Sequence, residues 1–246
     1  MRAHHASVAD VVPFSWVDGP GNRFVLFLQG CNFDCLACHN PQTIPVHPPR
    51  STTYTVAEVV ARVRSSMPYI SGVTVSGGEP TLQHEFVGEL FAALKEDDEL
   101  KGLTTFIDSN GNASRDVWRS LALVTDGVML DLKALDPGKH REMTGESNDL
   151  VKDSIQYLTQ LGLLYEVRLL LVPGHNDSDA ELRRTSQWLL SVQPDIRIKV
   201  NSFVSHGVRG VARQWREVSE DDKARYRSTL LGESVHQLAF GGVGPT

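Results

Sequence analysis

Residues 24–39 read FVLFLQGCNFDCLACH. An apolar run stops at Gln29-Gly30 and gives way to Cys31, Cys35 and Cys38, which are all the cysteines of the chain. A short run of this kind, continuous rather than alternating, fits a strand buried on both faces, the usual state in parallel sheets. The thiols then sit where such a strand ends.

Five more strand-like runs follow, at 72–76, 104–108, 127–131, 167–172 and 197–203. Helical patterns alternate with them at 56–67, 82–94, 115–124, 150–161, 180–191 and 220–231. The first helix is announced by a capping box, Thr55 as N-cap with Glu58 three residues on. Strands and helices in this rhythm predict a parallel sheet covered by helices. The unusual residues gather at the strand ends: the cysteines after the first, Gly77-Gly78-Glu79 after the second, and Asp108 closing the third. Asp131-Leu132-Lys133 closes the fourth, and Ser205-His206-Gly207 follows the sixth. In parallel α/β folds the C-terminal ends of the strands form the rim that carries active sites.

The 246 residues, 41% of them hydrophobic, suffice for a sizeable core. Neither an internal repeat nor a low-complexity tract is visible, and residues 1–246 are expected to form one domain. The best candidate for a break is TIPVHPPRSTT, residues 43–53, read as an ordered loop leading into the first helix. A formal charge of -6, with both signs mixed along the chain, argues against a broad grip on nucleic acid. The apolar runs are too short to span a membrane, and the first residues lack the pattern of a signal peptide. Clustered cysteines that form no disulfide framework suit a reducing cytoplasm.

Three thiols at spacings x3 and x2 can converge on one metal centre from a single loop. Zinc is one reading, although structural zinc usually takes four protein ligands, and no second Cys or Cys/His pair is present. An iron–sulfur cluster is the other. Such clusters normally take four thiolates, so three leave one iron open for chemistry.

The residues also carry a resemblance. Cys31-x3-Cys35-x2-Cys38 resembles the cluster motif of the radical S-adenosylmethionine (SAM) enzymes. VDGPGNRFVLFLQGCNFDCLACHNP (17–41), GVTVSGGEPTLQHEF (72–86), FIDSNG (106–111), DGVMLDLK (126–133) and VRLLLVPG (167–174) are similar, in order and spacing, to the glycyl-radical-enzyme activases of that family. The resemblance implies an incomplete (βα)6 barrel and a [4Fe-4S] cluster whose open iron chelates SAM. It also implies cleavage of SAM to methionine and 5′-deoxyadenosine, with a hydrogen atom taken from a backbone glycine of a partner glycyl-radical enzyme. Reduced flavodoxin or ferredoxin is the implied electron donor. With three cysteines the chain cannot hold the extra clusters of some activases, which favours the compact pyruvate formate-lyase type.

By the same resemblance Cys31, Cys35 and Cys38 hold the cluster. Ala37 and His39 neighbour the cofactor, Ala37 standing where the family usually has an aromatic residue. Gly77, Gly78 and Glu79 meet the methionine amino group. Lys133, Arg168 and His206 contact SAM, and Asp108 and Asp131 hold a monovalent cation beside its carboxylate. Asp18 and Arg23 are expected to touch the partner polypeptide by the mouth of the site. Two rivals remain open. One is a radical SAM enzyme acting on a small molecule, of the 7-carboxy-7-deazaguanine synthase type. The other is a non-catalytic metal-binding barrel.

Overall fold

A computed structural model describes residues 5–48, 52–232, 235 and 237–241. The chain divides into two compact units, one of Met1–Asn32, Gln42–Ser109 and Ala113–Met129, the other of Phe33–Pro41, Asn110–Asn112 and Leu130–Thr246.

In the first unit the strands are β1 (His5–Ser15), β2 (Arg23–Leu28), β3 (Thr52–Thr55), β4 (Gly72–Gly77), β5 (Thr104–Ser109) and the start of β6 (Gly127–Asp131). They lie in the order β3-β1-β2-β4-β5-β6. β2, β4 and β5 pair in parallel, as the apolar runs predict, with Phe24, Val25, Leu26, Leu28, Val73 and Val75 buried. Three helices follow the strands: α1 (Val56–Ser66), α2 (His84–Glu96) and α3 (Arg115–Ala122). Phe86, Val87, Leu90, Phe91 and Leu94 form the buried stripe of α2, which packs against α1 and α3. Each such side chain contributes about 1.5–3 kcal/mol relative to exposure.

The capping box of α1 forms in full: Thr55 Oγ1 accepts from the Glu58 amide at 3.2 Å, and Glu58 accepts from the Thr55 amide at 2.7 Å. Thr55→Ala removes half of it. The expected loss is about 1 kcal/mol, read as a lower urea midpoint at an unchanged slope.

The second unit holds the end of β6, then β7 (Leu164–Leu171), β8 (Arg197–Ser202) and β9 (Gln237–Gly241), in the order β6-β7-β8-β9. β7, β8 and β9 are parallel. Its helices are α4 (Pro137–Thr144), α5 (Asp149–Gln160), α6 (Asp179–Val192) and α7 (Glu220–Gly232).

All six expected strands and all six expected helices are present, with ends shifted by up to three residues. β1, β3, β9 and α4 are additions. β1 pairs antiparallel to β2 and β3, and its register slips between Val8 and Asp10 and again between Val12 and Ser15. Those irregularities, with Pro13 inside the run, erase the period-2 signal of a strand. Part of the expected 43–53 loop is instead β3, which starts at Thr52, while residues 49–51 of it lie outside the described residues.

Candidate active site

Within the first unit, β2 delivers the chain to Cys31. Its end is braced from two sides. The Gly30 amide donates to Thr43 O at 2.8 Å and the Cys31 amide to Ile44 O at 3.0 Å, while the amides of Gly78 and Glu79 donate to Leu28 O and Gly30 O at 2.8 and 2.7 Å. Gly77 has φ +121°, and a Cβ there would lie 2.2 Å from the backbone N and O of Leu28. At Gly78 a Cβ would lie 2.1 Å from Gly30 O and 2.8 Å from Thr43 O. Real Cβ atoms never come this close, so both positions require glycine. What approaches them is the chain's own backbone, the strand end that carries Cys31.

Glu79 is fully buried, and its Oε1 accepts from the Thr81 amide, Thr81 Oγ1 and Ser109 Oγ at 2.9, 2.7 and 2.8 Å. Three donors on one oxygen make this carboxylate the anchor of the Gly-Gly turn. Asp108, half-buried at the end of β5, accepts from Ser76 Oγ at 3.1 Å.

Asp18 and Arg23 are the residues expected to touch the partner polypeptide. Both stand at the start of β2, whereas Cys31 follows its end; six strand residues at about 3.3 Å each separate the two ends by about 20 Å. Arg23 is fully buried. Its guanidinium donates to Thr74 Oγ1, Val73 O and Thr104 O at 3.1, 2.7 and 3.0 Å and lies 4.7 Å from the Phe106 ring centroid. It ties together the starts of β2, β4 and β5 and offers no surface to a partner. Asp18 accepts from Ser15 Oγ at 2.5 Å, and its carbonyl accepts from Thr74 Oγ1 at 2.8 Å. The DGPGNR turn stands at the strand-start end of the sheet.

Within the second unit, the stretch from Phe33 to Pro41 rests on α4. The amides of Asp34 and Leu36 donate to the carbonyls of Thr144 and Met143, at 2.9 and 3.0 Å, which are orphan acceptors at the C-terminus of the helix. Phe33 meets the His140 ring edge-on at 5.5 Å. Ala37 is buried in an apolar cluster with Met143, Leu170, Val172, Phe203, Val208 and Ala212. An aromatic side chain at position 37 would have to displace those neighbours. The His39 ring donates through Nε2 to Val204 O at 3.0 Å, and burial pushes its pKa down, so it sits there neutral.

Lys133 and Asp131 pair at 2.7 Å, with side chains 15% and 27% exposed. Burial works against the Lys133 ammonium, but Asp131 and then Cys35 favour the charge and hold its pKa above the ordinary lysine value. Asp131 thus has a cationic partner two residues away. Burial raises the Cys38 thiol, against the pull of the Asn40 amide, Lys133 and Arg209. Arg168 is buried and donates from Nε to Glu166 Oε1 at 3.0 Å. His206 is exposed in a turn.

Several residues that shape these surroundings escape a reading of motifs. Asn176 is buried; its Nδ2 donates to Lys133 O and Leu170 O, both at 2.7 Å, and its Oδ1 accepts from the Val172 amide at 2.8 Å. It ties the carbonyl of Lys133 to the end of β7. The sequence signal was the Asn-Asp pair directly after VPGH. Glu166 was legible as a charge two residues from Arg168 on one strand face. Asp34 and Arg209 form an ion pair across 175 positions, and no local pattern announces that.

The three cysteines are free thiols, each partly buried. Cys31 belongs to the first unit, Cys35 and Cys38 to the second. Among the described residues no three Cys, His, Asp or Glu side chains stand grouped as a finished metal site. The donor set itself fits an iron–sulfur cluster: three soft, unoxidised sulfurs on one short stretch, with the Lys133 cation acting on two of them.

A family model described as the Radical SAM superfamily matches residues 25–185, and the chain belongs to that superfamily. It is a radical SAM enzyme, with a [4Fe-4S] cluster and SAM as its cofactors. Among its relatives, the pyruvate formate-lyase-activating enzyme of Streptococcus mutans serotype c is 35% identical over 214 residues, 83% of this chain and 78% of the relative. The enzyme of the same name from Staphylococcus aureus (strain USA300) is 34% identical over 246 residues, covering 92% of this chain and 95% of the relative. In fold, a radical SAM methyltransferase from Sphaerobacter thermophilus superposes with a TM-score of 0.70 at 15% identity, over 91% of this chain and 67% of that one. The mixed α/β architecture, largely parallel and flanked by helices, fits the expected partial barrel. Among the described residues no helix is long and apolar enough to cross a membrane.

Proposed function

We propose that this protein is a glycyl-radical-enzyme activase of the pyruvate formate-lyase type, acting in the cytoplasm on a backbone glycine of a partner enzyme. The observation that carries the reading is its end-to-end likeness to activating enzymes of that name, 92% of this chain against 95% of a relative. When bound, the cluster supplies the electron that cleaves SAM, and the radical released takes the glycine hydrogen atom. Side chains alone offer no oxidant strong enough for that step.

The chain's own groups bind and orient. Cys31, Cys35 and Cys38 are the cluster ligands. The backbone of Gly77 and Gly78, held rigid by Glu79, receives the amino group of SAM, and the Lys133 ammonium contacts the SAM carboxylate. The chain has three cysteines, all assigned to one cluster, so the electron comes from a separate carrier, reduced flavodoxin or ferredoxin.

Lys133→Met combined with Asp131→Asn removes the cation without stranding its carboxylate. SAM affinity of the reconstituted double variant is expected to fall about tenfold or more, the worth of one charged hydrogen bond, while iron content stays at the wild-type level. Unchanged affinity would remove Lys133 from the site. The activase reading itself is tested by mixing the reduced holoenzyme with SAM and a pyruvate formate-lyase type partner. A doublet radical signal on the partner supports it. SAM cleavage that never yields a partner radical, but is stimulated by a small pterin, would move the protein to the small-molecule class.

A further inference from the structure

β6 ends at Asp131, yet the backbone beyond it does not come free. The Leu132 amide donates to Arg168 O at 2.9 Å, and the next three carbonyls, of Lys133, Ala134 and Leu135, are each met by a side-chain amide. Asn176 Nδ2 donates to Lys133 O at 2.7 Å. Asn148 Nδ2 donates to Ala134 O and Leu135 O at 3.1 and 2.8 Å. The two asparagines are 3% and 0% exposed, one following β7 and the other preceding α5. All of these residues lie within the second unit.

Stability alone does not account for Asn148. It is the N-cap of α5, where asparagine ordinarily bonds the first amides of its own helix. Here it makes no such bond. Its amide is spent on the chain leaving β6, and its Oδ1 finds no donor among the described residues. A forgone cap and a buried oxygen without a donor both cost free energy. The reverse amide would set that oxygen against two carbonyl oxygens, so the donors are what the position requires. Asn176 completes the clasp. The Nδ2 that holds Lys133 O also donates to Leu170 O at 2.7 Å, and Oδ1 accepts from the Val172 amide at 2.8 Å, which locks Lys133 to the end of β7.

We propose that Asn176 and Asn148 are positioning residues for Lys133: together they fix the backbone from Lys133 to Leu135, and so hold the ammonium where SAM meets it. Asp131, at 2.7 Å from that ammonium, steadies the other end of the side chain. The inference rests on Lys133 contacting SAM and is independent of the identity of the partner enzyme.

The test is a double-mutant cycle on SAM affinity, measured on anaerobically reconstituted protein, referred to cluster content and carried out well below the melting temperature. Asn176→Ala and Asn148→Ala are each expected to weaken SAM binding about threefold or more, as for residues coupled through one hydrogen-bond network. Neither loss should exceed that of Lys133→Met combined with Asp131→Asn. Built into that double variant, either change is expected to weaken SAM binding no further, because the group it positions is gone.

Equal losses in both backgrounds would mean that the asparagines act on the fold at large. Wild-type SAM affinity in the folded single variants would mean that Lys133 needs no such support. Either result overturns the inference. Should an alanine variant fail to fold, Asn176→Asp and Asn148→Asp remove the donors at nearly unchanged shape, and the same comparison in the two backgrounds decides. If Lys133→Met with Asp131→Asn binds SAM as wild type does, the reading of Lys133 falls and this inference with it. If that variant binds weakly and the asparagine variants match wild type, this inference falls alone.

Discussion

Cys38→Ser abolishes SAM cleavage while leaving the fold intact. The hydroxyl is a hard, weakly acidic donor where a soft thiolate is required, and one iron loses its protein ligand. Losing an outer-shell partner of a metal ligand already costs about 10–100-fold in affinity or activity, and losing the ligand costs more. The side chain is only partly buried, and serine is nearly isosteric, so the core around Ala37 is undisturbed. Far-UV circular dichroism and the thermal midpoint of the apoprotein should therefore match wild type, while iron content and 5′-deoxyadenosine formation collapse. Wild-type rates of SAM cleavage in Cys38→Ser would remove the sulfurs from the chemistry.

Gly78→Ala has the second largest effect, and it is structural first. The added methyl would sit 2.1 Å from Gly30 O and 2.8 Å from Thr43 O, both backbone atoms braced by hydrogen bonds, so neither can swing away as a side-chain tip could. Overpacking of this kind costs about 1–3 kcal/mol or more. At the upper end that is a fall of about 6–12 °C in melting temperature for a chain of this size. The strain also falls on the peptide preceding Cys31, so the variant should take up less iron at equal protein concentration.

Gly145→Ala is the control. Gly145 has φ +86° at the C-cap of α4, and nothing lies within 4 Å of the Cβ it would gain. Its cost is the left-handed backbone alone, about 1 kcal/mol, with no change in iron uptake. Equal losses in the two variants would mean that the backbone facing Gly78 gives way, and that close approach does not demand glycine there.

The contrast between those two glycines shows what sequence can and cannot disclose. Gly77-Gly78 was readable as a place where something comes close to the backbone. That the visitor is β2 itself depends on a pairing between strands more than forty residues apart, and no local pattern encodes it. The parallel core was legible because burial on both faces leaves continuous apolar runs, as at Phe24 to Leu28. β1 was not legible, because its bulged register and Pro13 scramble the alternation an antiparallel strand usually shows. α4 had the right punctuation, with Asp136 as N-cap, Pro137 at the first position and Gly145 at the C-cap. With Met143 as its only buried apolar side chain, it has no apolar period to announce a helix.

Arg23 teaches the opposite lesson. A charged residue in a Pro-Gly turn looks like surface, and the motif in which it stands suggests contact with a partner. Its burial follows from β-branched neighbours: the hydroxyls of Thr74 and Thr104 and the carbonyls of Val73 and Thr104 surround the guanidinium. Arg209 inverts this again: half-exposed as a side chain, it keeps its Nε–H buried.

The central claim is that three sulfurs in an eight-residue span hold a cluster with one iron open to SAM. The direct measurement is anaerobic. Iron and sulfide are supplied, the protein is reduced, SAM is added, and the cluster's electron paramagnetic resonance is recorded while 5′-deoxyadenosine is quantified. The account predicts a reduced-cluster signal whose shape changes on adding SAM, together with deoxyadenosine production. Retention of zinc with no cluster formed, or an intact cluster whose signal ignores SAM, would contradict it.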